Sequence, residues 1–192
     1  ISHAFDDPWD ILHYKAEGTI EYTALMYIPT KTPFDIFQPN RNAQIKLYIN
    51  RVFITDQVPD MLPNYLRFVQ GVIDTKELPL NVSREMLQKT PVLAKIKTGV
   101  VRRILNELKK RSENEKEYLT FWDAFGAVLK EGIFEDFSNR EEIAELCRFY
   151  STNGDGLTTL ADYISRMKDG QKSIYYITGD NLGVLRNNPQ LE

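Results

Sequence analysis

With one cysteine, Cys147, the chain of 192 residues cannot form an internal disulfide, and a lone thiol suits a reducing compartment. Histidine is almost as scarce. His3, His13 and Cys147 cannot build a four-ligand zinc site without carboxylates, and no metal-ligand spacing appears, so no metal is expected. Long apolar runs are missing too. The longest stretch free of Asp, Glu, Lys and Arg is Tyr22 to Thr30, nine residues, whereas a membrane-spanning helix needs about 20. Neither charge sign dominates: 24 Lys and Arg against 27 Asp and Glu leave a net charge of −3, which creates no field that draws the chain to nucleic acid or a membrane surface. No glycine-rich phosphate loop such as a P-loop is present. An initiator Met and a signal-like start are also missing, so Ile1 reads as the beginning of an excised segment.

What is present divides by hydrophobic period. Thr19 to Ile28 alternates with period two, carries apolar residues on both faces and ends at Pro29, which predicts an inner strand. Gln44 to Thr55 is a second β-rich run. Leu62 to Phe68 predicts a short helix with Pro63 in its first turn, and Val69–Ile73 and Leu78–Val82 predict two further strands.

Beyond Thr90 the period becomes 3.6. Thr90 caps and Pro91 opens a helix whose apolar stripe is Leu93, Ile96, Val100, Val101, Ile104, Leu105 and Leu108, with Gly99 costing about 1 kcal/mol relative to Ala. Tyr118, Phe121, Trp122, Phe125, Val128 and Leu129 form the next stripe. Ser138 and Glu141 predict a capping box for a helix through Ile143, Leu146, Cys147 and Tyr150. Ser173 to Thr178 reads as a strand, followed by a weak helix at Asn181 to Asn187. The fold class expected is α/β: a layered αβα sandwich with a mixed sheet and flanking helices over 1–109, a helical connection over 110–150, and over 151–192 the beginning of a smaller α/β unit. One strand and one weak helix cannot bury a sheet face, so this unit is expected to continue past Glu192.

Several constellations invite chemistry. Ser151 to Asp162 resembles an EF-hand loop with Asn153, Asp155, Gly156 and Asp162 at ligand positions three, five, six and twelve. Position one is Ser, and Asp162 is short for a bidentate ligand, which favours a polar turn with Thr159 capping the next helix through Asp162. Lys95 to Arg111 holds a net +6; without interleaved aromatics this favours a solvated helix face over a nucleic-acid surface. Cys147 falls on an apolar stripe away from both histidines and reads as core. Phe5, Trp9 and Leu12 read as core ahead of an exposed contact surface.

The segment LPLNVSREMLQ (78–88) differs. Ser83 is a good helix cap, which places Arg84 in the first turn and Gln88 four residues on along the same face. An Arg beside free backbone N–H groups at the positive helix end suits an anion such as a phosphate. A surface Arg paired with Glu85 or a neighbouring acid is the competing reading, and physical reasoning alone puts it slightly ahead.

The same segment resembles the middle domain of the ninety-kilodalton heat shock protein family, ATP-driven chaperones of the stress response that assist protein folding. EYTALMYIPTKTPFDIF, IKLYINRVFITD, LPNYLRFVQGVIDT, EDFSNREEIAELCRF, DYISRMKDGQKSIYYITGD and NNPQLE match family blocks in order, over nearly the whole chain. They are most similar to the bacterial type, the high-temperature protein G branch, with a mitochondrial relative next. The resemblance implies a fragment whose ATP, with magnesium, is bound mainly by an N-terminal domain outside it, and whose homodimer contacts lie in a C-terminal domain, leaving the fragment monomeric and inactive alone. It implies that Arg84 reaches the ATP γ-phosphate in the closed state with Gln88 assisting, and that client proteins bind part of this domain, in the cytoplasm or alternatively the mitochondrial matrix. The alternative from another class is a non-enzymatic calcium- or phosphate-binding interaction domain.

Overall fold

The computed structural model describes residues 7–38, 41–56, 58, 60–81 and 83–191, with the side chains of Arg84, Gln88 and Lys89 outside the description. Five strands, β1 (Asp10–Ala16), β2 (Tyr22–Ile28), β3 (Gln44–Ile49), β4 (Val52–Thr55) and β5 (Gln70–Thr75), form one sheet in the order β1-β2-β5-β3-β4. Among the described residues only β3 and β5 pair in parallel. The remaining neighbours are antiparallel, so the sheet is mixed. Alternation fixes the register: Tyr22, Ala24, Met26 and Ile28 of β2 and Ile45, Leu47 and Ile49 of β3 are all buried, and a slip of one residue would turn each of them outward.

Among the described residues six helices follow or flank the sheet: α1 (Arg84–Lys89), α2 (Pro91–Arg111), α3 (Glu115–Glu135), α4 (Arg140–Leu146), α5 (Leu160–Ser165) and α6 (Leu182–Arg186). Between α4 and α5 a second sheet forms from β6 (Phe149–Tyr150) and β7 (Leu157–Thr158). This is the expected layered α/β class with flanking helices and a small second sheet. All seven stripe residues of α2 and all six of α3 are buried. One hydrophobic cluster joins Leu12 of β1, the sheet interior, both helices, and Ile143, Leu146 and Cys147, so α3 and α4 share the core of the sheet. Gly99 sits where α2 crosses β2 so closely that a Cβ would lie 2.5 Å from the Tyr22 hydroxyl, which explains a helix-weakening residue at that position.

Buried and half-buried charges tie the layers together. Arg67, 8% exposed, donates to Glu131 of α3 through both terminal nitrogens (2.5 and 2.8 Å) and to the Ile36 carbonyl through Nε (2.6 Å). Arg111 pairs with buried Asp10, which anchors edge strand β1 to the end of α2, and its guanidinium also lies over the Trp9 ring.

Several expectations are corrected. The Gln44 to Thr55 run is β as expected, folded into a hairpin that turns at Asn50 and Arg51, whose φ values of 50° and 65° are those of a tight primed turn. Leu62 to Phe68 contains only a 3-10 turn, Asn64–Leu66, with Pro63 before it in extended conformation. Leu78 to Asn81 is a turn, because Pro79 offers no N–H for a ladder; Val82 lies outside the described residues. The Ser138 capping box does not form: Asp136 takes the Ser138 and Asn139 N–H groups (both 3.1 Å), Asn139 becomes the cap residue, and α4 ends at Leu146, leaving Tyr150 on β6. Ser173 to Thr178 pairs with no strand among the described residues, and Tyr175 and Tyr176 are exposed.

Candidate functional site

The Arg84 segment hangs from the end of the central strand. β5 finishes at Thr75, whose hydroxyl donates to the Glu21 carbonyl (2.9 Å) and accepts from the Glu77 N–H (3.2 Å), while the Asn50 N–H donates to its carbonyl (3.1 Å). These bonds knit the chain leaving β5 to the neighbouring connections. Leu78 then enters the core, and Leu80 stays exposed.

Ser83 caps α1 as the sequence predicts. It is extended (φ −87°, ψ 161°), its Oγ accepts from the Met86 N–H (3.3 Å) and its carbonyl accepts from the Leu87 N–H (3.0 Å). Arg84 is therefore the first residue of α1, and Gln88 stands four positions on in the same short helix. The side chains of Arg84 and Gln88 lie outside the described residues; the backbone gives their places. Leu87, 4% exposed, pins the helix to the core, whereas Glu85 and Met86 face solvent. Thr90 ends α1 and begins α2: in extended conformation it bends the chain, and its Oγ1 accepts from the Val92 N–H (3.4 Å) with Pro91 behind it. A helix of one and a half turns is thus braced at three points, its cap, its Leu87 anchor and its junction with α2.

The other candidates resolve into structure. Ser151 to Gly156 is the turn of the β6–β7 hairpin. Asp155 pairs with Arg186 (2.7 Å), and Asp162 forms the expected capping box, accepting from the Thr159 hydroxyl (2.7 Å) and N–H (3.3 Å). Among the described residues no group of His, Cys, Asp and Glu could hold a metal ion. On α2, Arg103 lies over Tyr14, Lys109 pairs with Glu145 (2.7 Å) and Arg111 with Asp10, as a solvated, internally paired face requires. Cys147 is fully buried, its Sγ donates to the Ile143 carbonyl (3.3 Å), and burial pushes its thiol up to about 11. Leu12 joins the core, and Trp9 packs on Phe121 with ring centroids 4.9 Å apart; Phe5 lies outside the described residues.

Besides strand β1, two features escaped the sequence reading. The Asp10–Arg111 anchor joins residues with no local signature. Phe134 and Phe137, 81% and 72% exposed, do carry a signal: Phe134 falls off the apolar stripe of α3, and Phe137 lies just past the helix end, in the turn before α4.

With this geometry in view, the comparisons decide the family. The family model described as Hsp90 protein matches residues 1–192. The chain belongs to the Hsp90 family. Its relatives include the chaperone protein HtpG of Paramagnetospirillum magneticum, 65% identical over 193 residues, and that of Gluconobacter oxydans, 55% identical. Each alignment takes in 100% of this chain and 31% of the relative, so the chain spans about a third of the length of these Hsp90 proteins. Among solved structures it is similar to the middle domain of a heat shock protein of Plasmodium falciparum, at 35% identity and a TM-score of 0.86, covering 98% of this chain and 74% of that one. The fold is the Hsp90 middle-domain fold. No described helix is long and apolar enough to cross a membrane.

Proposed function

We propose that this chain is the middle part of an ATP-driven cytoplasmic chaperone, divided at 109/110 and 150/151, and that Arg84 completes the ATPase site held by a separate nucleotide-binding domain. The observation that carries this reading is the capped, braced helix that opens at Arg84 in a chain 65% identical to an HtpG chaperone. Charge develops on the transferred phosphoryl group, and a planar guanidinium can bond two of its oxygens at once, so an Arg on a rigid mount supplies stabilisation where a flexible one loses it to entropy. Gln88 on the same face contributes an uncharged hydrogen bond. ATP and its magnesium bind mainly to the other domain, since one Arg gives a free nucleotide too few contacts. The same chain contributes part of the surface that holds client proteins, and the whole protein dimerises through a further domain.

Mixing the purified chain with its nucleotide-binding domain is the test. Turnover should depend on both, and calorimetry on this chain alone should give no ATP or ADP binding. Micromolar ATP affinity in isolation contradicts the reading. A melting midpoint raised by calcium would instead favour the interaction-domain alternative built on Asp155.

A further inference from the structure

The corner where α3 ends and α4 begins displays two phenylalanines outside the hydrophobic core. Phe134 is 81% exposed and Phe137 72%. Their position is held rigidly. Asp136 Oδ1 accepts from the Ser138 and Asn139 N–H groups, while Oδ2 accepts from Asn139 Nδ2 (2.7 Å) and from the buried Tyr65 hydroxyl (2.8 Å). Arg140 ties the two sides of the corner together: its Nε donates to the carbonyl of Ile133, in the last turn of α3 (2.9 Å), and its guanidinium lies 4.1 Å from the centre of the Phe137 ring.

Charge surrounds them unevenly. Glu131 and Glu145 are spent on Arg67 and Lys109. Glu135, next to Phe134 in the chain, and Glu141, next to Arg140, are exposed and form no ion pair among the described residues. Arg140 is the one cation between positions 131 and 145. Exposed rings on a fixed backbone lose little freedom on binding, and unpaired carboxylates beside them select cations while repelling nucleic acid and acidic chains.

We propose that this corner is a docking surface for an extended polypeptide segment that carries Lys or Arg beside apolar side chains. The inference rests on the reading that the chain holds client polypeptides, and it gives that activity a location.

Fluorescence anisotropy on the full chain, without nucleotide, tests it with a labelled peptide alternating Lys with Leu and Phe, and with its Glu-for-Lys counterpart. The Lys peptide should bind, the Glu peptide should bind at least about tenfold more weakly, and Phe134→Ser with Phe137→Ser should weaken the Lys peptide by about tenfold. Glu135→Gln with Glu141→Gln should weaken it about threefold and flatten its salt dependence. If the double Ser variant melts early, Phe137→Ser alone and the Gln pair decide by the same criteria. Undiminished affinity in the Ser variants, or equal binding of both peptides, overturns this surface while leaving the chaperone reading intact. No binding of the Lys peptide overturns this surface, while the chaperone reading is decided separately by turnover on mixing with the nucleotide-binding domain. A dimer in sedimentation that dissociates in the Ser variant assigns the corner to a second copy and likewise overturns the proposal.

Discussion

Leu87→Ala should release the Arg84 helix without unfolding the domain. α1 has six residues, far too few to persist alone in water, so its order depends on the Ser83 cap, the junction at Thr90 and the buried Leu87 side chain. Truncation removes three carbons; at about 0.8 kcal/mol each the lost transfer free energy is about 2.4 kcal/mol. The cavity contribution should be small, because Glu85 and Met86 beside it already face solvent and water can fill the gap, which keeps the cost near the low end of the 2–5 kcal/mol range for such changes. About 2.4 kcal/mol corresponds to roughly a fiftyfold shift toward the undocked helix. Native-state hydrogen exchange reads this directly at the amides of Met86 and Leu87, which donate to the Ser83 hydroxyl and carbonyl. Both should exchange about fiftyfold faster, while the amides of α2 and β5 keep their wild-type rates. Unchanged exchange at 86 and 87 would refute the anchor, and equal acceleration throughout α2 and the sheet would show that Leu87 belongs to the global core.

Gly99→Ala should destabilise by about 1 kcal/mol in denaturant titrations, since the crowding against the Tyr22 hydroxyl outweighs the helix-propensity gain; in a Tyr22→Phe background the same change should become stabilising by about that amount. Burial acts to raise the Asp136 carboxyl, but hydrogen bonds from Asn139, Tyr65 and Ser138 outweigh it and hold the group below the usual carboxylate range. Its contribution is therefore present above the unfolded value of about 3.9 and lost as pH falls through the lower folded value; Tyr65→Phe should cost about 1 kcal/mol at pH 7, with the gap to wild type narrowing in urea titrations as the pH falls below that unfolded value. Cys147, buried with its thiol pushed up to about 11, should react with a maleimide at pH 8 only as fast as the domain unfolds, and a rate like that of a free thiol contradicts its place in the core.

The helices were legible because their signals are local. The stripe from Leu93 to Leu108 and the caps at Thr90 and Ser83 depend only on residues a few positions apart, and each formed as the pattern predicts. Ser138 shows the limit of that reasoning: Asp136, bonded to Tyr65 from 71 positions away, accepts the Ser138 N–H that the Glu141 side chain would take in a capping box. β1 was missed because its register comes from β2, and its anchor, Arg111, lies at the far end of α2. Ser173 to Thr178 carries strong β-propensity, but propensity describes fit to a pleated neighbour, and none is present among the described residues. Of the candidate site, the helix start at Arg84 was readable from Ser83; the link to a γ-phosphate came from family resemblance, because nothing local distinguishes such an Arg from one paired to a surface acid.

Arg84→Ala in the full-length protein tests the central claim most directly. Steady-state ATPase, a nucleotide titration and a melting curve should be measured together on the same preparation. If Arg84 meets the phosphate only when domains close, nucleotide affinity and the melting midpoint should stay near wild type while turnover falls by roughly 10² or more, with Gln88→Ala producing a smaller loss. Wild-type turnover in a well-folded Arg84→Ala protein would contradict the account.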